Sequence, residues 1–126
     1  MAENKFVLVV EDDPFYSNIY KTKLKKEDID AEVVINGDAA MVMAKKRKPT
    51  LILLDLMMPG KDGFTTLKEL KADPLLKDVK VIVLSNLSQE EDIRRVKELG
   101  AAEYLIKANV SIQEVVDKIK SNLAAA

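Results

Sequence analysis

Four apolar runs in this chain each stop at a side chain that can do chemistry: FVLVV at Glu11-Asp12, LILL at Asp55, VIVL at Ser85 and YLI at Lys107. Together they offer three carboxylates, a hydroxyl and an ammonium, a set that suits a divalent cation and a phosphoryl group. Glu11 and Asp12 repel one another unless a cation lies between them, which favours a magnesium site. The chain has no histidine and no cysteine, so a metal here would be a hard, oxygen-preferring ion. An aspartate held at a strand end, as Asp55 would be, can attack phosphorus and become an acyl phosphate. Lys107 can bring a three-donor point charge to one phosphoryl oxygen, and Ser85 a hydroxyl donor to another.

Each of these residues also has a bland reading. An acidic run before a helix is as often a solvated loop with a cap, and Asp13 is assigned that capping role. Asp55 could cap the following loop, Ser85 could satisfy a backbone group, and Lys107 could be a surface charge. Against this stands their common placement. If the four runs are parallel strands joined by helices, all four stops fall on the carboxyl edge of one sheet, where open α/β folds bind their ligands.

The pattern supplies those strands and helices. The first strand, Phe6 to Val10, is a continuous apolar run of the doubly buried kind, and Asp13-Pro14 reads as N-cap and first helical residue. The helix runs to about Glu27, with Phe15, Ile19 and Thr22 on one face. A strand from Ala31 to Ile35 ends at Asn36-Gly37, and Asp38 is expected to cap a helix that stops before Pro49. Leu51 to Leu54 is the third strand, followed by the turn-rich Met58-Pro59-Gly60-Lys61-Asp62-Gly63. The next helix places Phe64, Leu67 and Leu70 inward and ends at Asp73-Pro74. Val79 to Leu84 is the fourth strand, with a capping box expected at Ser88-Gln89-Glu90-Glu91 and a helix stop at Gly100. Tyr104 to Ile106 is the fifth, and a second box at Ser111-Ile112-Gln113-Glu114 opens a helix whose core face is Ile112, Val115, Val116, Ile119 and Leu123. Right-handed crossovers then give an open, doubly wound parallel sheet.

Composition sets the outer bounds. The 126 residues are expected to form one domain, 1–126, long enough to bury about two thirds of the surface its unfolded form exposes. With 20 basic and 21 acidic residues, bulk charge implies no nucleic-acid partner. The absence of cysteine excludes disulfides and is compatible with a reducing cytosol. No apolar run approaches the roughly 18 residues of a membrane span, and MAENK has no signal-peptide core. A cytoplasmic location is expected.

Four segments carry a resemblance: Val10-Glu11-Asp12-Asp13-Pro14, Asp55-Leu56-Met57-Met58-Pro59-Gly60-Lys61-Asp62-Gly63, Leu84-Ser85 and Tyr104-Leu105-Ile106-Lys107. In these, and along essentially its full length, the chain resembles the receiver domain of two-component response regulators, of the stand-alone type. The resemblance implies a flavodoxin-like (βα)5 fold with strand order 2-1-3-4-5 and Asp55 as phosphoacceptor. It implies that Glu11 and Asp12 place magnesium, with Asp55 and the backbone carbonyl of Met57 completing the protein ligands. Lys107 would pair with the phosphoryl group, Ser85 would move to hydrogen-bond it, and Tyr104 would change rotamer in response. The surface of the fourth helix, fifth strand and fifth helix would then change. The implied donor is a phosphohistidine on a sensor histidine kinase or a histidine phosphotransfer protein, the output an unidentified protein target, and the state a monomer or weak dimer.

The chain departs from the commonest receiver pattern in three places. Ala108 follows Lys107 where proline is frequent, Asn86 follows Ser85 where a smaller residue is commoner, and Ser85 replaces threonine while keeping the hydroxyl. Met57 and Leu87 stand where the family tunes loss of the phosphoryl group. Both are apolar and cannot orient a water, so slow self-dephosphorylation is expected, nearer hours than seconds. Rival classes fit less well. An aspartate-nucleophile phosphatase needs a general acid where Met57 stands, and a flavin protein needs a Ser/Thr/Gly phosphate loop where the acids stand. A phosphorylation-silent scaffold is expected to lose some of the crevice residues.

Overall fold

Three strands are apolar almost from end to end because they lie in the middle of the sheet, with helices over both faces. These are β1 (Phe6–Val10), β3 (Leu51–Leu54) and β4 (Lys80–Ser85), in which only Lys80 escapes burial. The edge strands β2 (Asp30–Val34) and β5 (Glu103–Ile106) are half-buried and more polar. The five strands are parallel in the order 2-1-3-4-5, as the resemblance implies. The computed structural model describes residues 5–58 and 60–125, so Pro59 of the turn-rich loop lies outside the described residues.

Register decides what reaches the carboxyl edge. Val34, Val10, Leu54, Val83 and Tyr104 form one row across the sheet. Glu11 and Asp55 come one residue later and are still held by ladder bonds, Glu11 N–H to the Val34 carbonyl at 3.0 Å and Asp55 N–H to the Val10 carbonyl at 3.1 Å. Strand β4 runs on to pair Ser85 with Ile106, so Ser85 projects further along the edge, and Lys107 follows directly.

The helices cover both faces. Helix α1 (Pro14–Lys26) and α5 (Ile112–Ala124) pack Tyr20, Leu24, Val115, Val116 and Ile119 onto one side. Helices α2 (Gly37–Lys46), α3 (Gly63–Ala72) and α4 (Glu90–Glu98) cover the other with Ala40, Ala44, Phe64, Leu67, Leu70 and Val96. Asp13 caps α1 with its side chain on the Phe15 N–H, and Ser111 and Glu114 form the expected capping box on α5. Gly100 stops α4 at φ +106°. Its N–H reaches the Lys97 carbonyl and the Ala101 N–H that of Val96, a Schellman arrangement.

Several local expectations are corrected. The inward face of α1 is Tyr16, Tyr20 and Leu24, whereas Phe15 is 66% exposed and Thr22 is exposed too. Both stripes have helical spacing, and the tyrosine hydroxyls make the true core stripe look polar. Helix α2 is capped by Asn36, whose Oδ1 accepts from the Ala39 N–H at 2.7 Å. Asp38 lies inside its first turn, where the helix dipole still favours an acid. Gly37, the first residue of the helix, leaves no room for a side chain against α3: a Cβ would lie 2.2 Å from Thr66 Oγ1. No capping box opens α4; Gln89 is its N-cap and makes no side-chain bond, while Glu90, Glu91 and Asp92 fill the first turn. Strand β2 begins and ends one residue earlier than expected, leaving Ile35 exposed, and β4 lies one residue later.

Candidate functional site

At the carboxyl edge, Glu11 and Asp55 are only 2% and 6% exposed, and Asp12 is half-buried beside them. One carboxylate oxygen from each of the three lies within 4.8 Å of the others. Lys107 faces this group. Its Nζ is 2.6 Å from Glu11 Oε1, 3.5 Å from Asp55 Oδ2, and 4.4 Å from the centre of the Tyr16 ring. The other oxygen of Asp55, Oδ1, accepts from the Met57 N–H at 3.2 Å, so both ends of that carboxylate are oriented.

The electrostatics follow from burial. Burial pushes the Glu11 carboxyl up to about 7, with the Lys107 hydrogen bond pulling it down and the neighbouring charge of Asp55 adding to the rise. Burial works to lower Lys107, but its bond to Glu11 and the charges of Asp55 and Glu11 outweigh it and hold the ammonium above its ordinary value. Buried carboxylates crowded this closely, with a single ammonium opposite, lack positive charge. Hard oxygen donors converging without nitrogen or sulfur are the coordination chemistry of magnesium or manganese, so the residues fit that ion.

A cavity of about 260 Å³ opens over this cluster. Besides the three acids and Lys107, its walls are formed by Asp13, Tyr16, Met57 and Asn86. Met57 is 58% exposed. Ser85 is not in the wall. It is fully buried, and its Oγ accepts from the Leu87 N–H at 3.2 Å. Leu87 is half-buried against the core on the α4 side, and its carbonyl accepts from the Tyr104 hydroxyl at 2.5 Å. Burial raises the Tyr104 phenol, with the neighbouring Ser85 hydroxyl acting the other way. Ser85, Leu87 and Tyr104 thus form one linked group behind the crevice.

The structure therefore brings Glu11, Asp12, Asp55, Met57 and Lys107 together and sets Ser85, Leu87 and Tyr104 apart from them. Tyr16 was missed in the sequence; the available signal was an aromatic in the first turn of the helix that follows the acidic loop. Asn86, which stood out only as a bulky departure, is the residue through which β4 reaches the cavity. Its Oδ1 accepts from the Ala108 N–H at 3.0 Å. Residues 107–109 form a 3₁₀ turn, and no cis peptide bond occurs among the described residues.

The family model of the response regulator receiver domain matches residues 7–120. Among curated proteins, the response regulator Rcp1 of Synechocystis sp. is 38% identical over 113 residues, covering 82% of this chain and 77% of Rcp1. The DNA-binding dual master transcriptional regulator RpaA of the same organism is 31% identical over 117 residues, covering 93% of this chain and 48% of RpaA. The response regulator PleD of Caulobacter vibrioides is 36% identical over 101 residues, covering 80% of this chain and 22% of PleD. The chain thus spans about half the length of one of these relatives and under a quarter of another. Among solved structures, the phosphorylated cyanobacterial phytochrome response regulator RcpA superposes with TM-score 0.87 at 31% identity, covering 98% of this chain and 97% of RcpA. The Mn(2+)-bound form of Rcp1 superposes with TM-score 0.77 at 34% identity, covering 93% and 90%.

Proposed function

Because the chain belongs to the response regulator receiver domain family, we propose that it is a phosphoacceptor switch in which Asp55 takes a phosphoryl group from a phosphohistidine. The donor histidine belongs to a sensor histidine kinase or a histidine phosphotransfer protein. The observation that carries this reading is the convergence of the Glu11, Asp12 and Asp55 carboxylates within 4.8 Å, with Lys107 Nζ 3.5 Å from Asp55. The solved relatives support it, one being a phosphorylated protein and the other a Mn(2+)-bound form.

In the transfer, a carboxylate oxygen of Asp55 forms the new bond to phosphorus as the phosphorus–nitrogen bond of the donor breaks, the imidazole nitrogen leaving with the electron pair. Glu11, Asp12, Asp55 and the backbone carbonyl of Met57 would hold magnesium. When bound, that ion supplies positive charge to the carboxylates and to the phosphoryl oxygens. Lys107 then no longer serves as sole counter-charge to Glu11 and can pair with a phosphoryl oxygen. Phosphoryl transfer needs in-line positioning and charge neutralisation more than a general base, so a chain without histidine is competent for it.

The signal would pass through the group behind the crevice. Ser85 Oγ, which accepts from the Leu87 N–H, would turn its own O–H toward the phosphoryl group, and the Leu87 carbonyl holds Tyr104. Turning of Tyr104 would carry the change to the α4-β5-α5 surface, where a protein target reads it. Phosphorylation must favour the changed state by a few kcal/mol for this to act as a switch. The reading is tested by NMR of the chain with magnesium and beryllofluoride, a stand-in for the phosphoryl group. Signals from Ser85 through Tyr104 should shift, whereas shifts confined to neighbours of Asp55 would mean a phosphate store and no switch.

A further inference from the structure

The end of β4 meets the crevice through Asn86, and the way that side chain is held gives it a direction. It lines the cavity beside Asp55, Met57 and Lys107, while the Ser85 hydroxyl is buried and engaged with the Leu87 N–H. Strands β4 and β5 make their last pair at Ser85 and Ile106, and just beyond it Asn86 Oδ1 accepts from the Ala108 N–H. A proline at 108 would have no such N–H. A backbone N–H can bond only to the oxygen of a carboxamide, so this contact fixes which way the amide is turned. The NH2 end is left with two donors and no hydrogen bond to the described residues.

The crevice has use for such donors. Glu11, Asp12, Asp13 and Asp55 all line it, and among the described residues Lys107 is the only cation in its wall. An arriving phosphoryl group brings further negative charge, and the buried Ser85 hydroxyl does not meet it at first. We propose, on the reading of Asp55 as acceptor, that Asn86 is a further phosphoryl-binding residue, its NH2 aimed at a phosphoryl oxygen by the Ala108 N–H. Asn86 acts from the moment of arrival, Ser85 only after it has moved. Ala108 is a positioning residue that acts through Asn86.

The test uses acetyl phosphate and magnesium as the donor mixture. A carboxylate oxygen of Asp55 bonds phosphorus as the phosphorus–oxygen bond to acetyl breaks, and acetate leaves with the electron pair. Uptake is followed by intact mass, with Asp55→Asn as control and far-UV circular dichroism to confirm folding. Asn86→Ala should slow uptake roughly tenfold, the loss of a hydrogen bond to a charged group. Asn86→Asp keeps an acceptor for the Ala108 N–H but replaces the donors with an anionic oxygen, and should be slower still. Ala108→Pro should slow uptake about threefold, by an amount typical of one neutral hydrogen bond. In combination with Asn86→Ala it should add nothing further. The side-chain NH2 signals of Asn86 in the wild-type chain should shift when beryllofluoride is added with magnesium. Uptake by Asn86→Ala at or above the wild-type rate would make the side chain only a wall, and unmoved NH2 signals would likewise overturn the assignment. Failure of the wild-type chain to take up any phosphoryl group would instead remove the reading of Asp55 on which it rests.

Discussion

The two halves of the carboxyl edge are built differently. On the β1 and β3 side, Glu11 and Asp55 are fixed by ladder bonds, buried, and already paired with Lys107. On the β4 side, the Ser85 hydroxyl is buried outside the cavity wall and accepts from the Leu87 N–H, and Tyr104 is tied to the Leu87 carbonyl. The acidic half already gathers its three carboxylates within 4.8 Å of one another, with Lys107 as their counter-charge. On the proposed function, the hydroxyl half would contribute only once the buried Ser85 O–H is turned toward the crevice. Chemistry and signalling would then fall to different strand ends.

If the halves are separate in this way, variants in each should fail differently. In the acidic half the largest loss after that of Asp55 itself is expected from Asp12→Ala, which as loss of a direct ligand should weaken magnesium binding by at least the roughly tenfold typical of losing an outer-shell partner, and slow uptake. A magnesium titration matching wild type would place the metal elsewhere. Lys107→Ala comes next. It leaves two buried carboxylates facing one another, and should lower stability by about 1–3 kcal/mol as well as slow uptake. Urea midpoints with and without magnesium check the cause, because the cation should restore more stability to Lys107→Ala than to wild type. Lys→Ala at exposed Lys25 or Lys118 should do neither, and equal losses at all three sites would mean that only net charge matters.

The hydroxyl half should show the opposite pattern. Ser85→Ala should leave the initial rate of uptake within a few-fold of wild type yet abolish the NMR shifts that beryllofluoride induces at Tyr104. Loss of uptake with the shifts retained would reverse the division of roles. A smaller effect concerns dephosphorylation. Met57 lines the cavity and Leu87 does not, so Met57→Asn should shorten an hours-long lifetime by about tenfold, or roughly 1.4 kcal/mol of barrier. Leu87→Glu alone should change it little. A larger effect at Leu87 would show that the β4α4 loop swings over the phosphorus after transfer.

These contrasts also mark what could be read from the sequence. The acidic half was legible because central parallel strands are continuous apolar runs, so the residue after each run falls on the edge by necessity. Glu11 and Asp55 needed nothing more, whereas Lys107 follows the short apolar run of the edge strand β5. The hydroxyl half was legible only as far as Ser85 lying at that edge, since the direction of its Oγ depends on a two-residue contact with the Leu87 N–H. The core face of α1 was hidden because Tyr16 and Tyr20 carry hydroxyls, and with it the packing of Tyr16 against Lys107. Asn36 and Asp38 are both good caps two residues apart, and the close contact of Gly37 with Thr66 is a tertiary fact that no local pattern carries. Asn86 and Ala108 were visible as separate departures, but their hydrogen bond appears only when β4 and β5 are paired.

Intact mass spectrometry of the wild-type chain and of Asp55→Asn, each incubated with acetyl phosphate with and without magnesium, bears on all of this at once. Transfer to Asp55 within the acidic crevice predicts a gain of one phosphoryl group in the wild type with magnesium, little without it, and none in Asp55→Asn under either condition. Uptake by Asp55→Asn at the wild-type rate, or uptake by the wild type that ignores magnesium, would contradict it.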